Sequence, residues 1–466
     1  ILGLLLVTVL LTGCSGDSTV SELTEGVEGP SQVIVNEESD EFKATGPTGA
    51  DYIWQVADGL GEFTDRTDNT TNFIASNEAL NQGTIDISVL IDNSKKTVED
   101  IEVLSHDNET EYAKGTFHSI VATEDMKRNG YIAAGTMGDL DLSAYKEPYM
   151  LKADNRGIII DEKSFDRDGR FYDIQDIVKK ALADYYYLIG YSKVSGDVNE
   201  AFVLRVNNKM EIEKTYTSDN LSTGDAFLRS GIVSKNFFSS DHVIAVGNKE
   251  LDNGNYAPYI IDINTSNTED YTRYTLTEAF DNPYYNLESI VETEDGYITV
   301  GFTNNTQASR SGAEGFIVTL DSDFNVQSIN DNMTEKLYKI KEVATDSFVI
   351  VGDNGYIAEA NNSGGSLIID DYNVGTAAYR DVIVDDNNYV VVGQDDNNGV
   401  IAKFTVGNLI SGSSFEESYG TYLYGVDKAT DGDYIAAGYS TSDDSTNNSY
   451  IVKIDPATGN VVERVK

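Results

Sequence analysis

The sequence predicts an all-β chain in which an N-terminal β-sandwich precedes a β-propeller, a ring of four-stranded sheets, here with seven of them. The first observation is composition: the 466 residues include 29 Tyr and 17 Phe but only 6 Pro, a usage that favours strands. The second is a phrase that recurs seven times. It consists of a polar turn, four or five strand-forming residues and a glycine, as in Asp431 to Gly438.

The first residues predict an export signal with a lipid anchor. Ile1 to Leu11 is almost wholly apolar but shorter than the roughly 20 residues that span a bilayer. It is typical of the apolar region of a signal peptide, here without the initiator Met and basic start. Leu11-Thr12-Gly13-Cys14 resembles the lipobox of prokaryotic lipoproteins. The resemblance implies that residues 1–13 are a truncated signal peptide and that Cys14 is lipidated; the alternative is a buried thiol in an N-terminal strand.

Residues 14–30 are rich in Ser, Gly, Thr and Glu, which predicts a flexible tether. Ser15 and Gly16, rather than Asp, follow Cys14. By resemblance to enterobacterial sorting rules, this argues against inner-membrane retention. We therefore expect a protein of the cell envelope, at the outer membrane or cell surface, that contacts the membrane only through its N-terminal lipid.

Residues 31–105 predict a small β-sandwich. Tyr52, Trp54 and Val56 alternate with polar residues, and the segment 85–92 alternates in the same way, as half-buried strands do. Trp54 to Gly59 resembles the W-x-x-x-D-G motif of polycystic-kidney-disease (PKD) type Ig-like domains, although Ala57 replaces the usual glycine. The resemblance implies a spacer or adhesive module with Trp54 in its core; a sugar-stacking role for Trp54 is the alternative.

Residues 106–466 contain the seven repeats, which predict seven blades, with six or eight as the alternatives. The phrase glycines lie roughly 40 to 57 residues apart, near the 40–50-residue period of propeller blades; they are Gly135, Gly190, Gly247, Gly301, Gly352, Gly393 and Gly438. Asp431 to Gly438 and Tyr450 to Asp455 resemble bacterial propeller repeats of the form D-G-[GD]-Y-[IV]-x-x-G and Y-[IV]-x-K-[IL]-D. Asp173 to Asp184 reads locally as an amphipathic helix, but the repeat register predicts a strand.

Charge limits the partners. Asp and Glu number 78 against 33 Lys and Arg, a net charge of -45, which opposes binding to phosphate backbones and to anionic lipid surfaces. We expect no nucleic-acid partner. A solvated acidic surface explains the charge, and an acidic calcium-loaded surface is the alternative. The single cysteine excludes a disulfide within the chain.

Catalytic and metal signatures are absent from the sequence. It contains three His without metal-ligand spacing and no G-x-S-x-G, Walker or H-E-x-x-H motif. Asp166 to Gly169, Asp395 to Gly399 and Asp431 to Asp433 place oxygen ligands near a glycine, yet none has EF-hand spacing. We expect no cofactor, with structural calcium as the alternative.

The innermost strand of each blade is expected to line the channel. Aligning these strands places His118, Gln175, Ser230, Glu288, Arg380 and Tyr424 at one position, and Ser119, Asp176, Gly231, Ser289, Lys341, Asp381 and Gly425 at the next. Six of these residues are candidate ligand-binding residues: His118, Asp176, Glu288, Arg380, Asp381 and Tyr424. A water-filled structural channel is the alternative.

These observations predict a lipid-anchored extracytoplasmic protein that presents a propeller to a protein or glycan partner. We expect a binding or scaffold protein rather than an enzyme. The alternative is a propeller-fold glycosidase or lyase that uses channel-mouth carboxylates such as Glu288 and Asp381.

Overall fold

The computed structural model divides the chain into two compact units, Ile1–Glu109 and Thr110–Lys466, and each is described by itself. The described residues are 26–30, 32–34, 39, 41–57, 59–76, 79, 84–92, 94–104, 115–124, 129–137, 147–154, 159–165, 171–179, 185–193, 198–217, 225–234, 242–265, 271–277, 285–303, 314–363, 366–405, 408–415, 420–441, 447–456 and 461–465. Cys14 and the predicted signal peptide therefore lie outside the described residues.

The first unit is built from short strands that surround one apolar core. Its strands are β1 (Gly26–Glu28), β2 (Gln32–Ile34), β3 (Phe42–Thr45), β4 (Tyr52–Gln55), β5 (Gly61–Phe63), β6 (Thr70–Thr71), β7 (Phe73–Ala75), β8 (Thr84–Ile91) and β9 (Ser94–Leu104). They pair in the orders β1-β3-β6, β2-β9-β8-β4 and β5-β7. Strand β1 lies inside the segment predicted as a flexible tether and pairs with β3, so ordered structure begins before residue 31.

Trp54 is the centre of this core. Its side chain is fully buried and packs against the rings of Phe42 and Phe63. The indole Nε1 donates a hydrogen bond of 2.8 Å to the carbonyl oxygen of Asp68, which satisfies its one polar atom. The structure thus confirms that Trp54 is a core residue. A fully buried ring has no exposed face on which a sugar could stack.

The second unit, in its described part, consists of seven antiparallel four-stranded sheets formed by strands consecutive in sequence. We number them sheets 1 to 7. Sheet 1 is β10 (Gly115–Glu124), β11 (Asn129–Met137), β12 (Glu147–Asp154) and β13 (Ile159–Ser164); sheet 2 is β14 (Phe171–Lys179), β15 (Tyr185–Lys193), β16 (Asn199–Asn207) and β17 (Ile212–Thr217); sheet 3 is β18 (Ala226–Val233), β19 (His242–Glu250), β20 (Tyr256–Asn264) and β21 (Tyr271–Thr275); sheet 4 is β22 (Tyr285–Glu292), β23 (Gly296–Thr303), β24 (Gly315–Asp321) and β25 (Val326–Met333). Sheet 5 is β26 (Leu337–Ala344), β27 (Ser347–Gly352), β28 (Tyr356–Ser363) and β29 (Ser366–Asn373); sheet 6 is β30 (Ala378–Asp385), β31 (Asn388–Asp395), β32 (Asn398–Thr405) and β33 (Asn408–Phe415); sheet 7 is β34 (Thr421–Lys428), β35 (Tyr434–Thr441), β36 (Asn447–Ile454) and β37 (Val461–Val465).

The sheets form a closed ring. The first strand of each sheet contacts the first strand of the next, and β34 of sheet 7 contacts β10 of sheet 1. Asp427 Oδ2 accepts the backbone N–H of Ala122 at 2.7 Å across this closure. Sheet 7 takes all four strands from the C-terminal end of the chain, so closure needs no strand from elsewhere. A closed ring of four-stranded meanders is a β-propeller.

The second strand of each sheet is the recurring phrase, and it is buried because neighbouring sheets cover both of its faces. Between sheets 1 and 7, for example, Tyr131 and Ala133 pack in one cluster with Ile435 and Ala437. The stretch that reads locally as a helix forms strand β14 as far as Lys179. The repeat register therefore gave the correct structure, because burial between two sheets outweighs local periodicity.

Candidate functional site

The first strand of every sheet carries one extra residue. In sheet 7, Leu423 pairs with Gly438 and Gly425 pairs with Ala437, so that Tyr424 is the extra residue of a β-bulge. The same β-bulge occurs at the equivalent point of the other six sheets. We call the seven extra residues the bulge ring: His118, Gln175, Arg229, Glu288, Tyr338, Arg380 and Tyr424.

The bulges explain the glycine that ends each phrase. Every phrase glycine pairs with the residue just before the bulge, as Gly438 does with Leu423. A Cβ at Gly438 would lie 1.8 Å from the Tyr422 carbonyl oxygen, and at the other six phrase glycines it would lie 1.8 to 2.1 Å from a backbone oxygen. Only glycine permits this close backbone approach, so the glycine of the second strand accommodates the bulge of the first strand.

The sequence alignment gave the wrong register for the first strands of sheets 3 and 5. The bulge residue of sheet 3 is Arg229, and Ser230 follows it. In sheet 5 the bulge residue is Tyr338 and the next is Lys339, not Lys341. The extra residue of a bulge is not marked by any periodicity in the sequence, so the alignment had no fixed reference in these two strands. A large apolar residue just before each bulge, such as Leu228 or Leu337, would have given the register, because this residue is buried in every sheet.

The bulge ring surrounds a single cavity. All seven residues line a space of about 310 Å³, together with Asp173, Tyr191, Phe302 and Lys336. Every bulge-ring side chain is partly exposed, whereas the residue before it is buried. The bulges thus direct seven side chains away from the strand ladder and into this cavity, which we call the bulge-ring mouth. β-Bulges often re-aim side chains in this way next to functional sites. The candidates His118, Glu288, Arg380 and Tyr424 all lie here.

Asp173 organises one side of this mouth. Its carboxylate accepts hydrogen bonds from Gln175 Nε2 at 2.8 Å and from the Tyr191 hydroxyl at 2.7 Å. His118 Nε2 lies 3.6 Å from the same group. Gln175 in turn accepts a bond of 2.8 Å from Arg229 Nη1. Burial and the adjacent Asp173 raise the pKa of Tyr191, so this phenol remains a donor at physiological pH.

Arg380 and aromatic rings form the other side. The Arg380 guanidinium lies 3.8 Å from the centre of the Tyr338 ring, and the Tyr338 hydroxyl donates to Asp353 at 2.9 Å. Tyr424 stacks near Tyr439, with ring centres 5.9 Å apart. The Nε atoms of Arg229 and Arg380 are buried and lack a hydrogen-bond partner among the described residues. Both arginines also line the cavity with their partly exposed side chains.

The next residue of each first strand lies deeper, on the axis. Ser119, Asp176, Ser230, Lys339 and Asp381 line both the bulge-ring cavity and a second cavity of about 290 Å³ beyond it. Lys339 Nζ reaches from sheet 5 to Asp176 Oδ2 in sheet 2 at 3.5 Å and to Ser230 Oγ at 3.4 Å. The ammonium therefore crosses the axis between the two cavities.

The two axial aspartates have structural partners. Asp176 accepts hydrogen bonds from Ser119 Oγ and Ser230 Oγ at 2.8 and 2.6 Å. Asp381 accepts the backbone N–H groups of Val382 and of Val426 in the next sheet, each at 2.9 Å. Burial raises the pKa of Asp381 although Lys339 and Lys341 lower it. These two candidates join sheets at the axis, below the exposed ring.

The described ranges contain neither a metal-binding cluster nor a membrane-spanning helix. They hold no group of three or more His, Cys, Asp or Glu arranged to bind a metal ion, and no helix with the length and apolarity to cross a membrane. At one proposed calcium loop, Lys453 Nζ lies 2.6 Å from Asp431 and 3.2 Å from Asp433, so both carboxylates share one ammonium. The loop 166–169 lies outside the described residues.

Comparisons with known proteins add little beyond the fold. No protein-family model matches the chain, and no curated protein matches it. Among solved structures, the chain is similar to the β-propeller domain of Cps50 (Swd1) from Myceliophteria thermophila, with 11% identity and a TM-score of 0.46 over 71% of this chain and 96% of that one. The WD40 β-propeller domain of Doa1 gives 12% identity and a TM-score of 0.44 over 72% and 96%, and the Dos1 propeller gives 12% and 0.44 over 92% of both chains. The β-propeller class is assigned from the closed ring of sheets itself.

Proposed function

We propose that this chain is a binding scaffold whose seven-bladed propeller holds a protein or glycan partner at the bulge-ring mouth. The observation that carries the proposal is that seven side chains, one from each sheet, converge on one cavity. The flanking apolar residues and glycines repeat from sheet to sheet, whereas the bulge-ring residues differ in type. Fixed structural positions around variable exposed ones are what a binding site on a repeated scaffold requires.

The proposal also concerns the cellular location of the protein. The lipobox at Leu11 to Cys14 supports export and lipid anchoring, and the first unit would act as an Ig-like sandwich of the PKD type that spaces the propeller from the outer membrane or cell surface. A thioether-linked diacylglycerol with a further acyl chain would hold the protein firmly, since two chains suffice where one does not.

The anchor is tested at Cys14. Cells that express the full precursor are grown with a fatty-acid probe, and the wild-type protein is expected to incorporate it. Cys14→Ala should abolish the label, because the chain has no other cysteine and the thioether needs the thiol. Equal labelling of the wild type and the variant would refute lipidation at this residue.

The binding role is tested with the purified chain on a glycan array and in partner capture from envelope extracts. The double variant Arg229→Ala/Arg380→Ala should weaken binding of any captured ligand about tenfold or more, since bonds to charged groups contribute roughly 1.5–3 kcal/mol each. Arg273→Ala is the matched control, because this arginine also stacks on a tyrosine, Tyr271, at 4.6 Å but lies outside the cavity. A ligand bound equally by all three proteins would place the site elsewhere.

One observation favours the alternative, a propeller glycosidase or lyase. Asp381 lines both cavities, and burial raises its pKa, as a general acid requires. Against this, both carboxylate oxygens accept backbone N–H groups. Turnover of a polysaccharide by the purified propeller, lost in Asp381→Asn and Glu288→Gln, would favour the enzyme.

A further inference from the structure

The channel becomes apolar beyond the axial layer. Because side chains alternate along a strand, the third residue after each bulge residue faces the channel again. Five of the seven sheets carry valine or isoleucine at this position, and the other two carry a charged residue: Val121, Val178, Ile232, Val291 and Ile383, then Lys341 and Asp427. All of these except Ile383 line the second cavity of about 290 Å³, which we call the apolar mouth.

The fold does not require apolar side chains at this position, since Lys341 and Asp427 occupy it in sheets 5 and 7. Val121, Val178 and Ile232 are nevertheless partly exposed there. Water inside an apolar space finds few hydrogen-bond partners, and removal of apolar surface from water is favourable in proportion to its area. An apolar group that enters this cavity is therefore stabilised by its walls.

The charge of the apolar mouth is negative. Glu292 and Glu342 directly follow the ring position in sheets 4 and 5, and both line the cavity together with Asp427. In total the lining has five acidic side chains against two basic ones, whereas the bulge-ring mouth has four of each. One of the two basic groups, Lys339, is already paired at the axis. The cavity thus favours a cation over an anion of the same shape.

The carboxylates at this end have partners within the protein that fix their positions. Glu292 accepts the Ser234 hydroxyl at 2.8 Å, and Asp427 accepts the backbone N–H of Ala122 at 2.7 Å. Such bonds leave the negative charge in place, since an ionised carboxylate has about four lone-pair sites. Attraction to a nearby cation is Coulombic and needs no vacant acceptor.

The lining lacks the groups that select a sugar or a carboxylate. Among the residues that the structure describes, none that lines this cavity is aromatic, and none carries a guanidinium or an amide side chain. The volume of about 290 Å³ is just below the range of about 300–1,000 Å³ for small-molecule sites. These features suit a short apolar chain with one positive charge.

We propose that the apolar mouth binds a short-chain alkylammonium ion, with its chain against Val121, Val178 and Ile232 and its charge beside Glu292 and Glu342. This site lies at the opposite end of the channel from the bulge-ring mouth. It therefore goes beyond the proposed function, and either can fail without the other.

The test is calorimetric titration of the full chain at pH 7 with hexylamine, 1-hexanol, hexanoate and propylamine. Hexylamine is protonated at this pH, as a lysine side chain with a pKa of about 10.4 is. It should bind about tenfold or more tightly than 1-hexanol, because only the amine carries the charge, and hexanoate should bind most weakly. Propylamine should lose about fourfold in affinity for each methylene removed.

Several results would overturn the proposal. They are no binding of hexylamine, equal binding of hexylamine and 1-hexanol or hexanoate, and equal binding of hexylamine and propylamine. Tighter binding of N-acetyl-leucyl-lysine amide than of hexylamine would also overturn it, since the site would then suit a segment of a partner protein.

Variants assign the binding to this mouth. Glu292→Gln/Glu342→Gln should lower the preference for hexylamine over 1-hexanol about threefold or more, because partly exposed ion pairs contribute modestly. Val178→Thr keeps the shape of the side chain but adds a hydroxyl, so it should weaken both ligands alike. An unchanged preference in the first variant and unchanged affinities in the second, with wild-type circular dichroism spectra, would contradict the proposal.

Two controls complete the experiment. Glu62→Gln/Glu99→Gln removes the same two charges from exposed positions of the first unit and should bind hexylamine as the wild type does. Arg229→Ala/Arg380→Ala alters only the bulge-ring mouth and should also bind it normally. Loss of hexylamine binding in the arginine variant but not in Glu292→Gln/Glu342→Gln would place the amine at the bulge-ring mouth and refute this site alone.

Discussion

Replacing Gly438 with alanine is expected to destabilise the propeller by about 3 kcal/mol, at the upper end of the cost of overpacking. The new Cβ would lie 1.8 Å from the Tyr422 carbonyl oxygen, 2.8 Å from its carbon and 2.9 Å from Leu423 Cα. All three are backbone atoms, so no side-chain rotation relieves the contact. The β-bulge must open, which also displaces Tyr424 from the mouth. Denaturant unfolding followed by far-UV circular dichroism measures the loss.

Gly26→Ala is the control for this experiment. Gly26 also lies in a strand, but a Cβ there meets nothing within 4 Å, so we expect a change within about 0.5 kcal/mol. Trp54 is the only tryptophan and is buried in the first unit, so its fluorescence follows that unit separately. Gly438→Ala with the same denaturation midpoint as the wild type would show that the bulge tolerates a methyl group.

Lys339→Met is expected to cost about 3–5 kcal/mol, the range for breaking a buried ion pair by removing one partner. Methionine keeps the apolar stem but removes the ammonium that lies 3.5 Å from Asp176. Burial alone would lower the pKa of Lys339, but Asp176 and Asp381 raise it above the ordinary value of 10.5. Its stabilisation is therefore fully present below pH 10.5 and is lost as pH rises through the raised pKa.

The variant should enlarge the pH dependence that Asp381 contributes at the axis. Asp381 already has a pKa above its ordinary 3.8, and Lys339 is one of the charges that hold it down. Without Lys339, the folded protein binds the proton of Asp381 still more tightly than the unfolded chain does. Stability from the protonated form is then present below 3.8 and is lost as pH rises through the folded pKa. The deficit relative to wild type should thus be largest near pH 7 and shrink towards pH 4.

Lys341→Met is the matched control, because it changes the same residue type on the same strand. Lys341 is exposed and acts less than Lys339 on the pKa of Asp381, so its removal should change stability at pH 7 by about 0.5 kcal/mol or less. Urea unfolding of both variants at pH 7 and pH 4.5 separates loss of the axial ammonium from loss of an exposed lysine. Equal stability of Lys339→Met and Lys341→Met at pH 7 would show that the axial ammonium contributes no net stabilisation.

The channel-facing residues show where alignment of repeats succeeds and fails. His118, Glu288, Arg380 and Tyr424 were found by aligning the strand that precedes each phrase. Arg229 and Tyr338 were missed because the extra residue of a bulge is not marked by any periodicity in the sequence, so the register of a strand cannot be read from its own pattern. The partners of the site, such as Asp173 with Tyr191, come from different strands of a sheet, and spacing along the chain does not report such pairs.

The sequence by itself determined the all-β class, the seven-fold repetition and the buried second strand, because each copy carries its own apolar run and its own glycine. It also located Trp54 in a core. Only the tertiary structure decided what the glycines are for and which side chains meet. A bulge is a relation between two paired strands, and a ring cavity is a relation among seven sheets. Neither exists until the chain closes on itself, and only then do Arg229, Tyr338 and Arg380 line one mouth.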